Sequence, residues 1–327
     1  MVDHVASLNV VVPAERVARA VDAVPELSAV LVRSGGRTLS EPWRLAGEGP
    51  VVVPPHDPPA RAIVVDNQPW AEIAPIVAQV PSIELIQTLT AGVDLLRGVP
   101  ERFTVANARG AHGPSTAELA MALLLAVRRE IPRWVRAQDR REWAPPETMA
   151  PTLVGERVLV LGAGDLAVEF AARVRAFGAA VTMVGRTARA GVRGVSELPG
   201  LIGGHGVVVV LVSANSTTRH LVDAEFLAAM PDGATLVNAA RGWVVDTDAL
   251  VAELRSGRLT AGLDVVDPEP LPPDHPLWDC PGVLIAPHVG GATTGVADRA
   301  IGVAVAQLRQ FAAGKLPGNT VHRADLA

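Results

Sequence analysis

At residues 157–177 an apolar run, a glycine pair and a helical repeat follow one another without a break. Val158, Leu159, Val160 and Leu161 suit a strand buried on both faces. Gly162 and Gly164 come next, and Leu166, Phe170, Val174 and Phe177 then recur at helical spacing. A strand that enters a G-x-G-x-x-A turn and leaves it as a helix is the context in which such a turn binds a dinucleotide. Gly162 permits the tight turn, Gly164 lets the backbone approach a pyrophosphate, and Ala167 allows close helix–strand packing. The helix N-terminus offers N–H groups and the positive end of its dipole to phosphate. Asp165 is discordant, because a carboxylate beside a pyrophosphate repels it unless it points away.

The rest of the chain alternates in the same way. Apolar strand candidates lie at 5–12, 29–33, 62–65, 83–87, 103–106, 180–184, 207–212, 235–238, 261–265 and 283–286. Helices fit 14–23, 70–79, 223–229, 246–255 with Asp246 as cap, and 296–313 ending at Gly314. Alternation of this kind implies parallel sheets. Residues 34–60, rich in Gly and Pro, read as loops with a hairpin across 43–53. A long helix begins near Pro114, where Ser115-Thr116-Ala117-Glu118 reads as a capping box. Glu118 is therefore taken as a cap and not as a catalytic acid. Leu119, Leu123 and Ala126 share one face, widened by Ala120, Leu124 and Val127, so this helix belongs in a core or a subunit interface. Pro132 breaks or kinks it, and residues 134–143 continue as basic surface.

With 327 residues and 49% hydrophobic content, the chain can fill the cores of two domains. Its longest apolar runs, 119–127 and 207–212, are too short to span a bilayer. The first residues lack the basic start of a signal peptide. Cys280 is the only cysteine, so no internal disulfide forms. These features fit a soluble cytoplasmic protein with no bound metal. A net charge of −5 gives no electrostatic case for nucleic acid or anionic membrane.

Three polar residues sit just beyond strand ends in the second half: Arg241 after 235–238, Glu269 after 261–265 and His288 after 283–286. Parallel sheets bind ligands beyond the carboxyl ends of their strands, so the three can converge. A guanidinium grips a carboxylate in a fork, an imidazole moves a proton on or off oxygen, and a carboxylate beside it favours the imidazolium. Taken singly, each residue is as easily a loop or turn group. Together with a nicotinamide they describe hydride transfer to the carbonyl of a 2-oxo acid.

These residues resemble the D-isomer-specific 2-hydroxyacid dehydrogenases, over most of the chain and most strongly from about 152 to 294. The resemblance rests on Gly162-Ala163-Gly164-Asp165-Leu166-Ala167, Thr218-Arg219-His220-Leu221, Asn238-Ala239-Ala240-Arg241-Gly242, Asp264 through Pro270, and Pro287-His288 with Gly290-Gly291-Ala292-Thr293. It implies Arg241 as the carboxylate-binding arginine, Glu269 as the catalytic glutamate and His288 as the acid–base histidine. Ala91, Gly92 and Val93, followed by Asp94, look like the substrate loop, whose backbone amides meet the substrate carboxylate. Gly162, Gly164, Asp165, Leu166, Ser213, Thr218, Ala239 and Gly290 would line the cofactor, with Asp264 facing the nicotinamide carboxamide. Asp165 stands where the family often has Arg, and Ser213 where it commonly has Pro.

The implied architecture is two doubly wound parallel-sheet α/β domains. A Rossmann NAD(P)-binding domain, 108–289, would be inserted in a flavodoxin-like substrate domain, 1–107 with 290–327. The active site would lie in the cleft, and the 115–129 helix would form a homodimer interface. The activity expected is reduction of a small 2-oxo acid such as glyoxylate or hydroxypyruvate. The alternatives are a dinucleotide-sensing, corepressor-like binding protein and a relative acting on formate or phosphite. Formate enzymes carry glutamine where Glu269 stands. For the cofactor, an NAD site needs an acid at the end of the second strand. Here 181–184 runs into Gly185-Arg186-Thr187, with Arg189 close behind. Arg186 and Thr187 suit a 2′-phosphate, so NADP(H) is expected over NAD(H).

Overall fold

The computed structural model describes residues 7–34, 37, 38, 51–146 and 149–326. It divides into two compact units, residues 1–112 with 294–327 and residues 113–293.

In the first unit, β1 (Leu8–Val12), α1 (Glu15–Asp22), β2 (Leu27–Leu31), β3 (Ala62–Val65), α2 (Trp70–Val77), β4 (Leu85–Thr88) and β5 (Thr104–Ala106) follow in order. The strands form one parallel sheet ordered β2-β1-β3-β4-β5. This is the flavodoxin-like order. All five residues of β1 and all four of β3 are buried, which is why these strands read as continuous apolar runs. Of the hairpin expected across 43–53, residues 43–50 lie outside the described residues. Val51–Val52 pairs antiparallel with Arg33–Ser34, which also pairs with Arg37–Thr38.

The second unit begins with α3 (Gly113–Arg128) and α4 (Ile131–Asp139). Then come β6 (Arg157–Leu161), α5 (Asp165–Ala176), β7 (Ala180–Gly185), β8 (Val192–Gly194), α6 (Pro199–Ile202), β9 (Val207–Val210), α7 (Ala224–Ala229), β10 (Thr235–Asn238), α8 (Thr247–Arg255), β11 (Thr260–Leu263) and β12 (Val283–Ile285). The sheet is parallel throughout, ordered β8-β7-β6-β9-β10-β11-β12. Strand order reverses at β6, so the β6–β9 crevice is the topological switch point of a Rossmann fold. The last helix, α9 (Val296–Ala312), returns to the first unit and buries Ala300, Ile301, Ala304 and Leu308 in its core with β1 and β4.

Two expectations need correction. Residues 115–118 do not form a capping box at the start of α3. The helix begins at Gly113, so Ser115 lies within its first turn and is buried, while Glu118 is exposed. Part of the apolar surface of α3 is spent internally. Ala117, Ala120, Met121 and Leu124 pack with Phe170 and Val174 of α5 and with β6. Leu119, Leu125 and Ala126 of α3 stay half-buried, and just after the helix Ile131, Val135 and Trp143 are exposed. The unit boundary likewise falls at 112/113, beyond 107/108. Ala108 and Ala111 are buried in the first unit's core, and the second unit starts only with α3.

Candidate active site

The glycine turn joins β6 to α5. Gly162 has φ 125°, and a Cβ there would come within 2.4 Å of the Leu211 carbonyl oxygen, so no other residue fits. Around Gly164 a Cβ would meet nothing within 4 Å, which leaves room for a ligand to approach the backbone. Ala167 is fully buried between helix and sheet. Asp165 is turned toward the first residue of α3: its Oδ2 lies 2.6 Å from where a Cβ on Gly113 would stand. A carboxylate suits that helix N-terminus. These residues fit a bound dinucleotide pyrophosphate.

Beyond β7, Arg186 and Thr187 are exposed on the loop. Arg189 reaches back from the same loop and donates from Nη2 to the Ala163 carbonyl at 2.8 Å. Its Nη1 lies 3.3 Å from where a Cβ on Gly185 would stand. A guanidinium is thereby fixed at the edge of the glycine turn. Ser213 and Thr218 fall in the loop after β9. Asn215 N donates to Thr218 Oγ1 at 3.0 Å, and Thr218 Oγ1 lies 3.1 Å from the Ser213 carbonyl, so the threonine hydroxyl closes its own turn. Buried Asn215 caps that turn from the other side by accepting from Thr217 N at 3.0 Å. The Asn-Ser-Thr-Thr string was a legible signal for it.

Arg241, Glu269 and His288 all follow the carboxyl ends of neighbouring strands, β10, β11 and β12. Asn238, ending β10, shapes the arginine turn: its Nδ2 donates to the Arg241 carbonyl at 2.9 Å and its Oδ1 accepts from Ala240 N at 3.1 Å. Ala239 is buried, and the half-buried Arg241 donates from Nη1 to the Ala240 carbonyl at 2.8 Å. A Cβ on Gly242 would lie 1.8 Å from the Val266 carbonyl oxygen. The arginine and glutamate loops therefore meet backbone to backbone.

Asp264, 2% exposed, holds the histidine loop. Its carbonyl accepts from His288 N at 2.8 Å, its Oδ1 from Val289 N at 2.8 Å and its Oδ2 from Gly290 N at 3.0 Å. His288 sits at φ 55°, a left-handed conformation uncommon outside glycine. Its Nδ1 lies 2.9 Å from Glu269 Oε2, while Glu269 Oε1 accepts from Val266 N at 3.0 Å. A carboxylate oxygen can only accept here, so Nδ1 carries the proton and Nε2 is left to the reactant. Glu269, through its hydrogen bond and its charge, raises the His288 pKa above the ordinary histidine value, against desolvation and the nearby Arg241. Burial disfavours the Glu269 carboxylate, but His288, the Val266 N–H and Arg241 together outweigh it and hold its pKa below the usual glutamate value.

Ala91, Gly92 and Val93 lie in the first unit, between β4 and the short turn at Asp94–Leu96. Among the described residues the backbone N–H groups of 90–93 have no acceptor. Among the described residues, too, no helix is long and apolar enough to cross a membrane, and no group of three or more His, Cys, Asp or Glu is placed to hold a metal ion.

Residues 121–290 match the family model described as D-isomer specific 2-hydroxyacid dehydrogenase, NAD binding domain. A glyoxylate reductase of Thermofilum pendens is 31% identical over 264 residues, spanning 76% of this chain and 78% of that protein. A hydroxypyruvate reductase of Thermotoga maritima is 33% identical over 217 residues, 64% of this chain and 70% of that one. Among solved structures, a D-isomer specific 2-hydroxyacid dehydrogenase from Xanthobacter autotrophicus in complex with NADPH and MES superposes with a TM-score of 0.77 at 31% identity, covering 97% of this chain and 98% of that one.

Proposed function

Because this chain belongs to the D-isomer-specific 2-hydroxyacid dehydrogenases, we propose that it reduces a small 2-oxo acid of the glyoxylate or hydroxypyruvate type to the D-2-hydroxy acid, with NADPH preferred over NADH. The observation that carries the reading is the His288–Glu269 pair at 2.9 Å, beside Arg241, at the carboxyl end of a dinucleotide-binding sheet.

Arg241 grips the substrate carboxylate, and its planar fork suits two parallel hydrogen bonds. By the family resemblance, the amides of Ala91, Gly92 and Val93 would serve as donors to a substrate carboxylate. Bound NADPH supplies the hydride. His288, kept protonated by Glu269, delivers a proton from Nε2 to the substrate's carbonyl oxygen. Glu269 then holds the neutral ring through Nδ1 until it is reprotonated. Gly162, Gly164, Leu166, Ala239 and Gly290 would line the dinucleotide, and Ser213 and Thr218 its ribose. Asp264 would face the carboxamide with oxygens already engaged by Val289 and Gly290. Arg186, Thr187 and Arg189 would meet the 2′-phosphate, in keeping with the NADPH of the Xanthobacter relative. Residues 113–293 would serve as the nucleotide domain and the other unit as the substrate domain. The molecule is a cytoplasmic homodimer in this reading, with its interface through the 115–129 helix region.

The test is turnover of a panel of 2-oxo acids with NADH and NADPH in parallel. Reduction of glyoxylate or hydroxypyruvate, faster with NADPH, is expected. No turnover at high enzyme concentration, with dinucleotide still binding, would put a dinucleotide-sensing protein in its place.

A further inference from the structure

In the loop after β4, three consecutive carbonyls turn toward one segment, residues 107–112. The Leu89 carbonyl accepts from His112 Nε2 at 3.0 Å, the Thr90 carbonyl from Ala108 N at 2.9 Å, and the Ala91 carbonyl from Asn107 Nδ2 at 2.7 Å. The next one, on Gly92, is taken by Thr90 Oγ1 at 2.9 Å. In a planar trans peptide the N–H points opposite to the carbonyl before it. Fixing the carbonyls of 89–91 toward 107–112 therefore turns the amides of Thr90, Ala91 and Gly92 away from it. These are among the amides that have no acceptor within the described residues. Successive N–H groups presented in this way make an anion-binding concavity.

The two side chains that set this orientation are well anchored. Asn107 Oδ1 accepts from Arg109 N at 3.2 Å, and the Asn107 carbonyl accepts from Asn319 Nδ2 at 3.2 Å. His112 is half-buried with the buried Asp66 carboxyl within electrostatic reach. A carbonyl can only accept, so His112 Nε2 carries its proton in either charge state of the ring.

We infer that His112 and Asn107 are positioning residues for carboxylate recognition, holding the 89–92 loop with its amides presented as donors to the substrate. The inference rests on the 2-oxo acid reading, but a small dicarboxylate tests it without turnover. Oxalate binding is measured by calorimetry on the full chain, and the amide resonances of 90–93 are followed by NMR. In the wild type, oxalate is expected to move those resonances. Asn107→Asp and His112→Leu each remove a donor. Each should raise the Kd for oxalate and the KM for the oxo acid about tenfold, the size expected when one hydrogen bond that holds the donor loop is lost. kcat and the dinucleotide Kd should stay near wild type. His112→Gln keeps a donor at similar reach and should restore most of the affinity, which a merely structural histidine does not predict.

Oxalate that leaves the 90–93 resonances unmoved, or a failure to bind at all, overturns the inference. So does a loss confined to kcat, or a glutamine variant no better than leucine. If no oxo acid is turned over yet oxalate still moves those amides in a His112-dependent way, the reductase reading fails and this one stands.

Discussion

The two units hold their functional groups by different means. In the second unit the loops of the candidate site are held by close backbone approaches and by one buried carboxylate. Gly242 lies against the Val266 carbonyl and Gly162 against that of Leu211, while the Asp264 carbonyl accepts from His288 N and its carboxylate from Val289 N and Gly290 N. In the first unit the 89–92 loop is oriented largely by side chains, those of Thr90, Asn107 and His112. Backbone locks resist sequence change, whereas side-chain ties can be exchanged one at a time. Under the proposed function, the proton-transfer groups of the second unit would be held more rigidly than the substrate loop of the first. Substitutions in the second unit should therefore strike kcat steeply, and those in the 89–92 scaffold should act on KM by degrees.

The sharpest way to break this contrast is His288→Asn. It should lower kcat by roughly 10²–10⁴-fold, the usual worth of a positioned general acid, and leave dinucleotide affinity nearly intact. A kcat within threefold of wild type would remove His288 from the chemistry. Gly242→Ala comes next. Its new Cβ has no place beside Val266. The arginine and glutamate loops must part, and a shift of about 1 Å can cost about 10²-fold. Overpacking should also lower the stability of the free protein by about 1–3 kcal/mol. Gly164→Ala is the control, because its Cβ would enter open space. It should keep the wild-type Tm and weaken only dinucleotide binding. Equal Tm values for the two variants would contradict the backbone lock.

Most of this was legible before the fold was known, for a physical reason. Strands buried on both faces, such as β3 and β9, are apolar throughout, so their runs show in the sequence. Helix α8 announced itself through Asp246, whose side chain caps Ala249 N at 3.1 Å. Arg241, Glu269 and His288 were visible because each follows such a run. What was hidden depends on distant partners. Ser115 had the pattern of a cap, but α3 starts at Gly113, against the Asp165 carboxylate from another helix. Short β8, Val192–Gly194, has an exposed arginine at its centre and no apolar run to mark it. The hold of Asp264 on Val289 and Gly290 spans 25 and 26 residues, and no periodicity reports a contact of that kind.

A smaller effect is expected where charge alone decides. Arg186→Ala should reduce the NADPH preference in kcat/KM by roughly 10- to 100-fold, as for loss of one charge-assisted contact to phosphate. Arg189→Ala should reduce it as well, and it removes the tie to the Ala163 carbonyl. Its effect should therefore also appear as weaker binding of NADH, which Arg186→Ala leaves alone. Equal use of both cofactors by the wild type would exclude both arginines from a 2′-phosphate site.

The smallest effect is also the most specific to the pair. Reduction needs His288 protonated, so kcat/KM should be full at low pH and fall as pH rises through the histidine's pKa. Glu269 holds that pKa above the ordinary value, first through its hydrogen bond to Nδ1 and further through its charge. Glu269→Gln keeps the size of the side chain and a hydrogen-bond acceptor but removes the charge. The imidazolium then loses part of its stabilisation, and the upper limb of the kcat/KM profile should move to lower pH. Well below that limb the variant should retain much of its rate, since the ring is protonated there whether or not the carboxylate is present. A profile that drops equally at every pH, without moving, would mean that Glu269 only fixes the ring's position. In that case Glu269 acts by geometry alone, as the backbone locks around it do, and His288 still supplies the proton.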